Sequence, residues 1–381
     1  MKTIRVLYMV FVFCLFNTCF SHAFAQEDSL PKPIRDKVIS VFKNFHIGFY
    51  IDAYYVKPIG GKDTANIIPF SSNCPFVNEI RMNVASMWIR YNSEKARGYL
   101  AIQYGDAPML LTKTNEQFIK YLRQANFGFK IYKTLWVDFG YMLDPIGVES
   151  SWPVFNELST VSVGGYYEPG SFLGVKLSYS LSDKLSAALW VCNPYSLAYG
   201  KNTSISLAGS LIYTPIQKVN ATYSFLFGNQ ALKGDKKNKL QLYNNFIVNY
   251  LPVKWLDLTA QFDYAFQGNS TRLNQTGTGM INLYSGFLQS QFIIIPMLSA
   301  CIRGEFFVDP DAMLSSTYIN NDLKKSGLKT WGATGGVEFK PIDGAYFRAE
   351  YRYLVGNKDN MIYYGQDDSQ QTLTFTTGLK F

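Results

Sequence analysis

The ionisable side chains of this 381-residue chain fall into a repeated pattern. Arg81, Lys130, Lys176, Arg303, Lys340, Arg348 and Arg352 share one face of short alternating segments with Asp52, Asp138, Asp257, Asp263, Glu305, Glu338 and Glu350. Charges of both signs on one wet surface can sort ions through local rings, or pair across strands and stiffen the wall. Bond-breaking chemistry is poorly supplied. The histidines are His22 and His46, and no Gly-x-Ser-x-Gly elbow occurs. Neither Ser-His catalysis nor a metal site built from several imidazoles has its parts. Glu305 and Glu350 could act as a carboxylate pair, but such pairs are also ordinary members of a polar wall. Enzymatic activity is not expected, a hydrolase is the weakest of the function classes, and no metal or cofactor is implied.

The elements that hold these residues are strands. In the last one, Leu373, Phe375, Leu379 and Phe381 alternate with Thr372, Thr374, Thr376 and Lys380. The preceding one sets Phe347, Ala349, Tyr351 and Tyr353 against Arg348, Glu350 and Arg352. Successive strand side chains point to opposite faces, so one face meets oil and the other water. An arginine turned to the bilayer midplane would cost about 2–4 kcal/mol, whereas in a wet lumen it costs little. Sixteen such segments are expected, centred near Phe49, Val84, Ala101, Phe127, Val137, Val175, Leu189, Gly209, Tyr223, Phe246, Ala260, Phe287, Ile302, Gly335, Ala349 and Phe375.

Their connections alternate in length. Tight links are expected at residues 93–95, Lys133-Thr134, Ser182-Asp183, residues 215–217, Pro252-Val253, Ile295-Pro296 and residues 341–344. Between them come long segments over 58–77, 105–121, 142–170, 193–202, 229–238, 268–280, 309–328 and 356–369. Short turns on one side and long loops on the other are the signature of an outer-membrane barrel, and a soluble sandwich has no cause to keep it. After the first residues no apolar run is long enough for a membrane helix. The expected fold is all-β, a transmembrane antiparallel up-and-down barrel of about 16 strands, within a range of 14–18. The even count returns both ends to the periplasm.

Lys2 and Arg5, an apolar run from Val6 to Phe16, and Ala23-Phe24-Ala25 form the three parts of a cleavable secretory signal over residues 1–25. Residues 26–43, with Pro31 and Pro33 ahead of Ile34, Val38, Ile39, Val41 and Phe42, form a periplasmic leader or a short amphipathic helix. The barrel occupies 44–381. The net charge of +8 is spread without a basic cluster or reader motif, which argues against nucleic acid. Of the cysteines, Cys74, Cys192 and Cys301 lie beyond the signal. A Cys74–Cys192 bridge is open to them, but inert thiols fit the spacing better. Aromatic residues make up 16% of the chain, enough to supply two interfacial girdles. Candidates near strand ends are Tyr54, Tyr55, Tyr91, Tyr132, Tyr141, Tyr213, Phe227, Tyr250, Trp255, Phe266, Trp331 and Tyr353. A stack of buried aromatics is the lesser expectation, because the interior of a barrel this size is wet.

The stretch Gly48-Phe49-Tyr50-Ile51-Asp52-Ala53-Tyr54-Tyr55, then Phe139-Gly140-Tyr141 with Pro145-Ile146-Gly147-Val148-Glu149, then Gly174-Val175 and the strand from Leu185 to Val191, resembles the OmpL-like beta-barrel porin family of Gram-negative, Bacteroidetes-type bacteria. The resemblance runs over most of the chain after the signal. It departs at Asn193-Pro194, where an Asn-Gly turn would be expected. The resemblance implies a porin in the outer membrane, and its motifs say little about the solute.

The connection over 142–170 is the longest, and a loop of that length in a compact fold is usually functional or disordered. It carries Asp144, Glu149, Glu157 and Glu168 with Trp152, Phe155, Tyr166 and Tyr167. Folded inward, its carboxylates would face wall bases such as Arg348 and narrow the pore. An ordinary surface loop, or a strand pair near Leu158 to Tyr166, is the plainer alternative. Lys233, Lys236, Lys237 and Lys239 read as a solvated hairpin tip that could also attract anionic solutes or lipopolysaccharide. The expected function is a water-filled channel for passive diffusion of small hydrophilic solutes or ions. A non-conducting surface barrel for adhesion or as a scaffold is the alternative. Expected partners are outer-membrane lipid and lipopolysaccharide, the barrel-assembly machinery acting on the strand that ends at Phe381, and a second copy of the chain in a homo-oligomer.

Overall fold

The computed structural model describes residues 43–60, 66–71, 73–111, 117–193, 204–231, 235, 237–319, 324–356, 363 and 367–381. The expected signal over 1–25 lies outside them, as does the leader except Lys43, and so do Lys233 and Lys236. The strands run β1 (Phe45–Pro58), β2 (Ile80–Asn92), β3 (Ala96–Tyr104), β4 (Leu122–Tyr132), β5 (Leu135–Leu143), β6 (Ser171–Ser182), β7 (Leu185–Cys192), β8 (Ser206–Ile216) and β9 (Val219–Asn229). They continue with β10 (Leu240–Val253), β11 (Leu256–Thr271), β12 (Thr278–Ile295), β13 (Leu298–Val308), β14 (Tyr318–Ile319), β15 (Lys325–Ser326), β16 (Lys329–Phe339), β17 (Ala345–Gly356) and β18 (Ser369–Lys380). Short helices α1 (Asp106–Leu111) and α2 (Gln117–Tyr121) lie between β3 and β4, and α3 (Val163–Tyr167) lies between β5 and β6.

Sixteen strands close one antiparallel barrel, and β14 and β15 form a separate hairpin in the loop between β13 and β16. All the expected strand centres fall inside barrel strands. The seam joins β1 to β18. There Phe49 N–H donates to the Phe381 carbonyl at 2.7 Å, Phe381 N–H returns a bond to Phe49 at 3.0 Å, and the two rings stack at 5.4 Å. Closure leaves no edge strand, so every backbone donor at membrane depth has a partner without water.

Alternation sets the two faces. On β17, Tyr346, Arg348, Glu350, Arg352 and Leu354 are buried while Phe347 and Tyr351 are exposed. On β18, Gln370, Thr372, Thr374 and Thr376 point inward and Phe375 and Leu379 outward. Lipid-facing Leu288, Ile302 and Phe127 complete an apolar belt, and Tyr132, Tyr213, Trp255 and Trp331 stand exposed near the strand ends as girdle residues do. No helix among the described residues is long and apolar enough to cross a membrane. Cys74, Cys192 and Cys301 are buried free thiols.

Several details correct the sequence reading. Pro215 and Pro252 lie inside β8 and β10 rather than in turns. Each sits where the register slips, between Tyr213 and Ile216 and between Tyr250 and Val253, so the missing N–H breaks no ladder bond. The loop expected over 268–280 shrinks, because β11 and β12 run on through a register shift between Gln267 and Ser270. Tyr54 is no girdle residue. It points inward at 2% exposure and donates to Asp106 of α1 at 2.8 Å. Tyr141 borders an internal cavity. The outer half of the lumen is also drier than expected. Phe70, Tyr167, Phe172, Phe307, Leu328 and Tyr363 form one buried cluster, with Tyr167 stacked on Phe307 at 4.7 Å. Loop residues folded over the wall supply the apolar surface that the strands' alternation does not reveal.

Candidate pore and its inward segment

The connection between β5 and β6 turns into the barrel and lies mainly against the inner wall of β10 to β18, while its turn at Trp152–Val154 reaches across to Tyr50 of β1, Gln103 of β3 and Arg123 of β4. Its local structure is slight: a 3-10 turn at Pro153–Phe155 and helix α3, whose N-terminus is capped by Ser162 accepting from Gly165 N–H at 3.0 Å. No strand pair forms around Leu158. With so little regular structure, its backbone donors and acceptors are met by wall side chains.

Arg303 is the centre of this contact. Its side chain is fully buried, and it donates to Glu149 at 2.6 Å and to the Thr160 carbonyl at 2.8 Å. Glu305 accepts from Val163 N–H at 2.7 Å and is gripped by Arg352 at 2.9 and 3.0 Å. Glu350 accepts from the backbone N–H groups of Ser159 and Thr160 and from the Thr160 hydroxyl. Arg348 pairs with Glu338 at 2.5 Å and donates to the carbonyls of Pro153 and Asn156. Farther round the wall, Gln261 donates to Glu168, and Asn245 Oδ1 accepts from Gly147 N–H at 3.2 Å. Gln289 donates to Glu157 at 2.8 Å. Gly147 has φ +82°, a conformation that suits glycine, and a Cβ there would run into the Glu168 carboxylate.

The wall candidates thus separate by position. Arg303, Glu305, Glu338, Arg348, Glu350, Arg352 and Asp263 face inward and are buried beneath or beside the segment. Asp263 is held by Asn245 at 2.6 Å and Ser285 at 2.8 Å. Lys340 bonds Glu338 at 2.8 Å from the periplasmic end, and Asp257 is also on that side. Asp52 is buried, accepting from Asn83 and from Val84 N–H. Arg81 is at the outer rim, paired with Asp106 and Glu79. Opposite the segment, Asp138, Lys130 and Lys176 face the part of the lumen left free.

Sequence reasoning missed Arg90 and Arg97 on that free side, and Arg123, which meets the segment. Arg97 clamps Asp138 through two bonds of 2.6 and 2.5 Å and stacks on Trp136 at 4.3 Å. Arg123 stacks on Trp152 at 4.1 Å and donates to Ser150 and Ser151. The alternation Arg97, Tyr99, Ala101, Gln103 was the available signal, blurred by the small residues Gly98 and Ala101.

Two sizeable cavities lie between the segment and the β3 to β8 wall. One of about 330 Å³ is bordered by Gln103, Arg123, Tyr141, Asp144, Glu149 and Glu168. The other, about 500 Å³, is bordered by Arg97, Lys130, Lys133, Trp136, Lys176 and Trp190. Leu143 and Asp144 border both and stand between the two spaces. Asp144 accepts from Ile146 N–H at 2.7 Å, and burial pushes its carboxyl up to about 7. Glu168 is raised well above the usual carboxylate range by burial and by neighbouring Asp263, Glu149 and Asp144. Glu149 and Glu157 are raised by burial too, with Arg303 opposing the shift at Glu149.

A barrel of this strand number with polar side chains inside matches the family model described as "Putative beta-barrel porin-2, OmpL-like" over residues 44–381. The chain belongs to that family. It is an outer-membrane porin. Among solved structures, this porin resembles OmpF of Salmonella typhi in complex with daunomycin at 13% identity and TM-score 0.62, covering 88% of this chain and 97% of the other. It resembles the outer-membrane channel DcaP of Acinetobacter baumannii at 10% identity and TM-score 0.58, with the same coverage. OmpT of Vibrio cholerae in its trimer form is similar at 11% identity and TM-score 0.57, covering 88% of this porin and 99% of that chain. Such distant likenesses concern the fold. No curated protein matches by sequence.

Proposed function

We propose that the segment over 144–168 is the constriction of this porin, and that small hydrophilic solutes diffuse through the space it leaves along β3 to β8. The observation that carries this is the Arg303–Glu149 bond at 2.6 Å, which with the Glu350 and Arg348 contacts straps the greater part of the segment to one side of the lumen. A pore narrowed by a segment bound to one wall leaves its passage along the other, where the two cavities lie. The exposed lipid belt contacts outer-membrane lipid and lipopolysaccharide, and the β18 strand ending at Phe381 offers the assembly machinery its handle. A trimer is a natural arrangement for such a barrel.

The test is single-channel recording of the refolded protein in a planar bilayer. Discrete openings are expected, and replacing residues 148–166 by a short Gly-Ser link should raise conductance severalfold. A heat-resistant barrel that never conducts, with or without the replacement, would refute it. One observation favours that second reading, a non-conducting scaffold: the apolar cluster around Phe70, Phe307 and Tyr363 occupies the outer half of the lumen.

A further inference from the structure

Given that the lumen conducts, we infer that its free passage is built for small anions, carboxylates and phosphates included. The inner segment is laid over the wall that carries most of the carboxylates. Beneath or beside it, Glu305 is matched by Arg352 and Arg303, and Glu338 by Arg348 and Lys340. Glu350 is consumed by backbone and hydroxyl donors at Ser159 and Thr160. Those charges are spent on docking and present little field to a solute.

The opposite wall is composed differently. Below the outer rim, its inward bases from β2 to β6 are Arg90, Arg97, Arg123, Lys130 and Lys176, with Lys133 in the turn between β4 and β5. Asp138 is the one carboxylate among the described inward residues of these strands below the outer rim, and it is clamped by Arg97. Arg90, Lys130 and Lys176 form no ion pair among the described residues. Each instead stands against an inward aromatic ring: Arg90 against Tyr99, Lys130 against Trp136, and Lys176 against Trp190, whereas Arg123 is taken up by the segment through Trp152, Ser150 and Ser151, and Lys133 lies over the outward ring of Tyr132. An aromatic face holds a cation in place without neutralising it, so its positive field stays available to a passing solute. The larger cavity is bordered by Arg97, Lys130, Lys133 and Lys176 against Asp144.

The smaller cavity, toward the outside, brings Arg123 against Asp144, Glu149 and Glu168. Its carboxylates are engaged: Glu149 with Arg303 and Ser162, Glu168 with Gln261, Asp144 with Ile146 N–H. A solute crossing between the two spaces passes Asp144 and then meets lysines. Low-dielectric walls and an excess of one sign concentrate the opposite ion, and chloride or a small carboxylate is what this passage concentrates.

The measurement is the reversal potential of the refolded porin in a planar bilayer under a potassium chloride gradient, repeated with potassium acetate and potassium phosphate. Wild type should favour chloride over potassium by about threefold or more, as lumen charge rings do, and should pass acetate and phosphate. Lys130→Gln with Lys176→Gln should bring the ratio toward one. A conducting wild-type channel that favours potassium would overturn the inference while leaving the porin intact, and this reading needs no variant to fold. A double variant that conducts with the wild-type ratio would also overturn it. Absence of any conductance would overturn the conducting lumen itself.

Discussion

Glu149 and Arg303, separated by 154 positions in the chain, meet at 2.6 Å inside the barrel, with the arginine side chain fully buried. Removing one partner of a buried pair leaves the other uncompensated, which typically costs about 3–5 kcal/mol. Glu305, at 3.5 Å from Arg303, offsets part of this loss. Glu149→Ala should therefore loosen the segment while the wall stays closed. Single-channel conductance should rise and become noisier, with barrel mobility on unheated gels unchanged; an unaltered conductance would exclude a docking role for the pair.

The acids of the segment set a pH direction. A free carboxyl titrates near 4, whereas docking raises Asp144 to about 7 and Glu168 well above its usual range. The docked form therefore prefers both groups protonated. Its advantage is fully present below about pH 4 and is lost as pH climbs through the window toward 7 and beyond. Openings should be quieter and smaller at pH 5 than at pH 8. Asp144→Asn should flatten that difference, and recordings across this range would show it.

Gly147 offers a probe that touches no charge. With φ +82° and the Glu168 carboxylate in the space of a Cβ, Gly147→Ala is strained and crowded together, at a cost of about 1–3 kcal/mol for the backbone alone. It should reproduce the raised conductance of Glu149→Ala without altering the ionic complement. Equal conductance in variant and wild type would show that the bond from Gly147 to Asn245 is dispensable.

At the seam, Phe381→Ala removes a ring stacked on Phe49 but spares the two backbone bonds. An aromatic pair contributes about 0.5–1.5 kcal/mol, so folding into liposomes should slow and its yield fall modestly. Conductance of the fraction that folds should match wild type. Gel-shift kinetics would measure both.

The wall was legible because its period of two is written in nearly every strand, as Arg348, Glu350 and Arg352 against Phe347 and Tyr351 show. Turns at prolines misled, since Pro215 and Pro252 occupy register slips that only pairing reveals. Arg97 and Arg123 escaped notice because small neighbours hide the alternation around them. The inward packing of residues 144–168 could not be read at all in detail: Ser159, Thr160 and Val163 bond through backbone groups that every residue possesses, to partners more than 140 positions away. Nothing local in such a stretch distinguishes a docked segment from an exposed one.

The straps from the segment to β13 and β17 also have a mechanical meaning. They act as cross-braces on one arc of the cylinder, while the arc from β5 to β8 is held in shape chiefly by its ladder bonds and ring stacks. When bilayer tension or lateral pressure squeezes the barrel out of round, the braced arc keeps its curvature and the other arc bends. The compliant arc is also the one that borders the free space, so membrane thickness and lipid packing would alter the bore more than they alter the docked segment.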